Sequence, residues 1–188
     1  VSEIIGIYLL GHYLNTYADL LGVGSLISYA FIYTPLKRVS SVAVYIGAIP
    51  GAIPPLLGWV AATGRFSAVA AILFLIQFIW QFPHFWAIAW VLDDDYNKAG
   101  YRLLPLKSGR SKSTALVILV SSAILIPVSV LPYYIGMSGI LSVVLLAISA
   151  IALTIVAARL YKSLSIKDAK TLMFASIVYN PLVLVVLL

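Results

Sequence analysis

The sequence predicts an all-α membrane protein, a multi-span helical bundle. Of its 188 residues, 63% are hydrophobic and only 10% are charged, where a soluble domain is near half apolar and a quarter charged. The apolar residues come in stretches close to the ~20 residues that a spanning helix needs. The basic residues gather in alternate connections between those stretches. A disordered chain is excluded by the same balance. The formal net charge of +6 reads as membrane orientation rather than affinity for nucleic acid. Cysteine is absent, which excludes disulfides, Cys-ligated zinc, iron–sulfur clusters and thiol nucleophiles.

Taken in order, Val1 to Leu14 is apolar but too short to span. Beginning without methionine, it reads as the stump of a helix. The chain is therefore expected to be a single transmembrane domain, residues 1–188, truncated at its N-terminus. Six full spans follow: about Asp19 to Pro35, Val39 to Thr63, Phe66 to Leu92, Thr114 to Tyr134, Ile140 to Tyr161 and Ala169 to Leu188. Lys37 and Arg38 stand in one connection. Lys98, Arg102, Lys107, Arg110 and Lys112 stand in a second, and Arg159, Lys162, Lys167 and Lys170 in a third. The opposite connections hold Arg65 alone. That asymmetry is the positive-inside pattern, so the basic connections face the cytoplasm. The spans carry almost no charge, which argues against a voltage sensor or a relay of buried carboxylates.

One long connection, Asp93 to Ser113, exceeds the ~12–15 residues above which a structureless loop is usually functional. It opens with Asp93, Asp94 and Asp95, half of the six acidic residues in the chain. Oxygen ligands suit Mg²⁺, which binds through one or two carboxylates plus substrate phosphates. A solvated helix end explains the acidic run as well. On the preceding span, helical spacing stacks Gln77, Trp80, Gln81, His84, Ile88, Val91 and Asp95 along one stripe. Such a face belongs against a cavity or other helices, and Pro83 is expected to kink the helix before His84. In Val39 to Thr63, Gly47 and Gly51 form a small-xxx-small face. Pro50, Pro54 and Pro55 are expected to break the ladder there, as a cavity wall would tolerate. Tyr33, Lys37 and Arg38 place a phenol and two cations at a cytoplasmic helix end, where loop charges that only set orientation would look the same.

These elements together resemble the UbiA-type intramembrane prenyltransferases, and among them the haem O synthase (protohaem IX farnesyltransferase) family. The resemblance is carried by Tyr33-Thr34-x-x-Lys37-Arg38, Gly47-x-x-x-Gly51-Ala52-x-Pro54-Pro55-x-x-Gly58 and Trp80-Gln81-x-Pro83-His84-Phe85. Asp95-Tyr96-x-x-Ala99-Gly100 and Leu104-Pro105 complete it. It implies nine helices around a central cavity, of which six full spans and a partial one are here. It also implies an Asn/Asp motif upstream of Val1 and Mg²⁺ as cofactor, held by Asp95 with Asp93 or Asp94. The implied chemistry is farnesyl transfer from farnesyl diphosphate to a vinyl group of protohaem IX, giving haem O, with water quenching the final cation. Asp95, Lys37, Arg38 and Tyr96 are then the implied catalytic set. Tyr33, His84, Trp80, Gln81, Lys98 and Arg102 are the implied substrate-binding set. A bacterial inner membrane with a cytoplasmic-side site, and hand-over of product to haem A synthase or terminal oxidase assembly, complete the expectation.

A UbiA-type enzyme acting on a quinone precursor would share the aspartates but is not expected to carry Trp80-Gln81-Phe82-Pro83-His84-Phe85. A small-molecule transporter would explain a Gly/Pro-interrupted span, but transporters usually show a second such segment in a paired repeat, and none is found. The charge asymmetry sets a direct test of topology. A reporter fused after Arg110 should be cytoplasmic and one at Gly64 on the far side. Both on one side would overturn the span assignment.

Overall fold

The computed structural model describes residues 2–37 and 40–187, and those residues form helices and turns alone. Helix α1 (Ser2–Tyr13) precedes α2 (Thr16–Ile27), which runs through a π-helical segment, Ser28–Tyr33, into the short α3 (Thr34–Leu36). Next come α4 (Ala43–Thr63), α5 (Ala68–Val91) and α6 (Asp93–Lys98). Then follow α7 (Lys112–Val128), α8 (Leu131–Tyr134), α9 (Ile140–Ser163) and α10 (Ile166–Leu187). Six helical stretches among the described residues are long and apolar enough to cross a membrane: Thr16–Leu36, Ala43–Thr63, Ala68–Val91, Lys112–Tyr134, Ile140–Ser163 and Ile166–Leu187. These match the six expected spans to within a few residues.

Local chemistry explains the boundaries. Asn15, Ser67 and Ser111 sit in extended backbone, and their side chains accept hydrogen bonds from the backbone N–H groups of Ala18, Ala70 and Thr114. Each thereby satisfies an orphan donor at the start of its helix. The prolines interrupt the hydrogen-bond ladder without ending either helix. Helix α4 continues for 21 residues through Pro50, Pro54 and Pro55. Their fixed φ is compatible with a helix, so the cost falls on the carbonyls of Ile46, Pro50 and Gly51, which lose their usual N–H partners. Likewise α5 continues for 24 residues through Pro83.

Helix α5 is the hub. It packs against α4 on one side and against α7 and α10 on others, while α9 fills the space between α7 and α10. On the far side of α4 lie α2, the π segment and α1. With no hydrophobic drive between helices in lipid, close approach depends on small residues at the seams. Ala43, Ala48 and Ala52 on α4, Ala115 on α7, Ala150 and Ala157 on α9 and Ala169 on α10 are all fully buried. Trp86, Trp90, Ile118, Leu125, Leu146, Leu160 and Leu172 fill the core between them.

Asn15 also joins two helix ends. Its Nδ2 donates to the carbonyls of Val60 at 2.9 Å and Ala61 at 3.2 Å, while its Oδ1 caps α2. Asn15→Ala removes all of these and should cost about 1–2 kcal/mol. Asn15→Asp keeps the cap but turns two donors into acceptors facing carbonyls. Both should lower the thermal midpoint in detergent, and an unchanged midpoint for Asn15→Asp would show that the link to α4 contributes nothing.

Candidate functional site

Between α2, the π segment, α4 and α5 lies a cavity of ≈ 630 Å³. Its wall includes Gly22, Ser25 and Leu26 from α2, and Tyr29 and Tyr33 from the π segment. Helix α4 supplies Val44, Gly47, Pro50 and Gly51, and α5 supplies Gln81, Phe85 and Ile88. Tyr96 and Leu103 close it from the long connection. A volume of this size, mostly apolar with a few polar groups, is that of a small-molecule site.

The glycines of α4 shape it. A Cβ at Gly47 would lie 2.6 Å from the Tyr33 ring, and one at Gly51 would collide with Oε1 of Gln81. The two glycines therefore admit one side chain from each neighbouring helix. Gln81 is 2% exposed, and its Nε2 donates across the interface to Ala48 O at 3.0 Å and along α5 to Gln77 O at 3.2 Å. Tyr33 stands 5.3 Å from Tyr29, ring to ring, with Nζ of Lys37 5.8 Å from its centroid.

A second, polar pocket of ≈ 450 Å³ adjoins the first. Ser40, Ser41, Asp93, Asn97, Arg102, Leu104, Lys107 and Gly109 contribute to it. Tyr96 and Leu103 face the apolar cavity, and their chain neighbours Asn97, Arg102 and Leu104 face the polar pocket. The segment 96–104 is thus the partition between the two chambers.

The expected site residues do not converge on one place. Tyr33, Gln81 and Tyr96 come together on the apolar cavity with Lys37 beside Tyr33, and Asp93 and Arg102 come together on the polar pocket. Trp80 and His84 do not line the cavity and turn toward α10. Nε1 of Trp80 donates to Ser176 O at 2.8 Å, and Nδ1 of His84 lies 2.8 Å from Ser176 Oγ. The two rings stack at 4.8 Å. The single stripe read from α5 is therefore split, because it is wide enough to straddle two neighbours. Arg38 lies outside the described residues.

The three aspartates also part company. Asp94 is bound to Nη1 of Arg110 at 3.0 Å. The same guanidinium donates through Nε to Trp90 O at 2.7 Å and through Nη2 to Val91 O at 3.3 Å, capping the last carbonyls of α5. Asp95 is 75% exposed and sits 3.9 Å from Nζ of Lys98. Among the described residues no group of three His, Asp or Glu side chains is placed to hold a metal. Consecutive helical residues point ~100° apart, so three in a row cannot converge.

Of the lining residues, Tyr29 and Asn97 drew no notice in the sequence, while Lys107 stood only among the loop charges, Phe85 only in a motif and Ile88 only on the stripe of α5. The i, i+4 spacing of Tyr29 with Tyr33 and of Gln81 with Phe85 was an available signal. The π segment had none.

The chain matches the model of the UbiA prenyltransferase family over residues 1–178. Among relatives named protoheme IX farnesyltransferase, that of Cytophaga hutchinsonii is 51% identical over 180 residues, which is 96% of this chain and 63% of the relative. That of Flavobacterium psychrophilum is 43% identical, covering 99% of this chain and 63% of the relative. The relative from Flavobacterium johnsoniae is 45% identical, covering 97% and 62%. This chain thus spans less than two thirds of the length of these relatives. No solved structure matches it. With its six apolar helices and this match, the chain is a multi-pass integral membrane protein.

His84 bonds α5 to α10, so His84→Ala should lower stability by about 1 kcal/mol. His84→Asn, which keeps a donor near the Nδ1 position, should lose less. Thermal unfolding in detergent checks the order, and equal stability of all three proteins would remove the Ser176 contact from the account.

Proposed function

We propose that this chain, which belongs to the UbiA prenyltransferase family, serves an enzyme that transfers a farnesyl group from farnesyl diphosphate to a vinyl group of protohaem IX, giving haem O. The observation that carries this reading is the pairing of an apolar cavity with a polar, basic pocket across one thin partition. An isoprenoid diphosphate has the same division into a long apolar chain and a charged head. The names of the relatives supply the acceptor.

In this reading the farnesyl chain lies against Leu26, Tyr29, Phe85 and Ile88, and the diphosphate reaches Arg102 and Lys107. Tyr33 and Tyr96 stand at the cavity wall, with Lys37 behind Tyr33. The aromatic faces of Tyr29 and Phe85 favour an allylic cation as the C–O bond breaks. No side chain has to act as a nucleophile. Bringing the reactants together in a dry cavity accounts for most of the chemistry.

Mg²⁺ suits the oxygen donors here, since Asp93 and Asn97 share the polar pocket and Asp95 lies on the same short helix. With no three-residue cage, one or two carboxylates and the substrate's own oxygens would hold it. When bound, the ion neutralises the departing diphosphate. Asp94, held by Arg110, is left out of that role. We further propose that the site opens on the cytoplasmic side of a bacterial inner membrane and that the product passes to haem A synthase or terminal oxidase assembly.

In the complete gene product, Asp95→Asn and Asp93→Asn should each reduce haem O formation by about a hundredfold or more and raise the Mg²⁺ requirement. Asp94→Asn should mainly lower the thermal midpoint, with turnover per folded molecule little changed. Product formation across a Mg²⁺ series, beside thermal unfolding, separates the two classes. Full activity of both Asp95→Asn and Asp93→Asn would overturn the metal assignment.

A further inference from the structure

The positive-inside pattern accounts for which helix ends carry cations, but not for which faces carry them. On α7 and α9 the faces are specific. Lys112, Leu116, Val120 and Ile124 follow one another at four-residue steps along α7, and all are exposed. Ile148, Ile151, Ile155, Arg159 and Lys162 follow at steps of three or four along α9, and these too are exposed. Each stripe is aliphatic over most of its length and basic at one end. The opposite faces, with Ile118 and Leu125 on α7 and Ala150 and Ala157 on α9, are buried in the core. Both stripes therefore point out of the bundle, toward lipid.

The two helices pack together and bring their basic ends to one level. Nζ of Lys112, the first residue of α7, lies 5.3 Å from the ring centroid of Tyr161, near the end of α9. An ammonium held over a ring keeps N–H donors for oxygen. Lys162 follows Tyr161 directly. Among the described residues none of Lys112, Arg159 and Lys162 joins an ion pair. The carboxylate of Asp168, at the start of α10, instead accepts hydrogen bonds from the hydroxyls of Ser163 and Ser165. From Lys112 to Ile124 and from Lys162 to Ile148 the stripes run ~18 and ~21 Å. One leaflet with its headgroup layer is about 20–22 Å thick.

We propose that the outer face of α7 and α9 is a binding site for an anionic phospholipid, its headgroup meeting Lys112 and Lys162 and its acyl chains lying along the two aliphatic stripes. A zwitterionic lipid would cover the stripes but bring its own cation to the headgroup, and a free phosphate would meet the cations but leave the stripes bare. Lys112 stands two residues beyond Arg110, which holds the end of α5, so the bound lipid steadies the return of the long connection to the bundle. The site is independent of the reaction proposed above.

The test places the complete gene product in nanodiscs of phosphatidylcholine, with or without an equal part of phosphatidylglycerol. Phosphatidylglycerol should raise the thermal midpoint by about 4 °C or more, and native mass spectrometry should find it retained in preference to phosphatidylcholine. Lys112→Gln/Lys162→Gln should lose most of both effects. Lys167→Gln/Lys170→Gln removes the same charge from α10 and should keep them. Tyr161→Leu leaves every charge in place but removes the ring beneath Lys112. It should lose part of the preference, and it carries the test if the first double variant does not fold. Equal loss in the two double variants would reduce the effect to surface charge and overturn the proposal. So would the absence of any rise in the unsubstituted protein, or an equal rise when inorganic phosphate is added to phosphatidylcholine discs.

Discussion

The contact between Gln81 and α4 sets the separation on which the cavity depends. Inside a bilayer an amide cannot be left to solvent, so Gln81 must find carbonyls, and it finds Ala48 O across the seam. Reaching it requires α4 to be bare at Gly51, and a bare α4 also admits Tyr33 at Gly47. The two helices are then close enough to bond but too poor in side chains to fill the space between them. The prolines of α4 belong to the same economy. They free carbonyls without breaking the helix, a strain that a protein-lined wall tolerates better than a lipid-facing one.

At the end of α5 that carries the acidic run, charge organises the chain where apolar packing stops. Arg110 draws the far end of the long connection back onto the last carbonyls of α5 and holds Asp94 as it does so. The acidic run is therefore divided between structure and solvent. Asp94 belongs to the staple, while Asp93 turns into the polar pocket beside Arg102 and Lys107. A pocket with both signs of charge holds an anion and a cation together more readily than a purely basic one would.

Much of this was legible in the residues. The six spans follow from length and hydropathy, because a bilayer imposes both. Gly47, Gly51, Gln81 and Tyr33 were legible because small and polar residues within a span need a reason, and Tyr96 only through the motif it shares with the family. What one helix cannot reveal is which neighbour each side faces. Trp80 and Gln81 are adjacent in sequence and ~100° apart around the axis, so one bonds to α10 and the other to α4. His84 followed Trp80. That the helix carrying Pro50, Pro54 and Pro55 runs on through them depends on the neighbours that hold it, which a single span does not reveal. The π segment, Ser28–Tyr33, needs one more residue per turn than its surroundings. No residue type announces that.

Three of the four tryptophans, Trp80, Trp86 and Trp90, lie on α5, the helix that forms one wall of the cavity. Trp86 and Trp90 are almost wholly shielded from water, with indole N–H groups that meet no acceptor among the described residues. Indoles in such dry surroundings emit at short wavelength, in a range that overlaps porphyrin absorption. The helix that shapes the chamber is thus also a built-in optical donor, and a tetrapyrrole lodged beside it would dim the protein's own light.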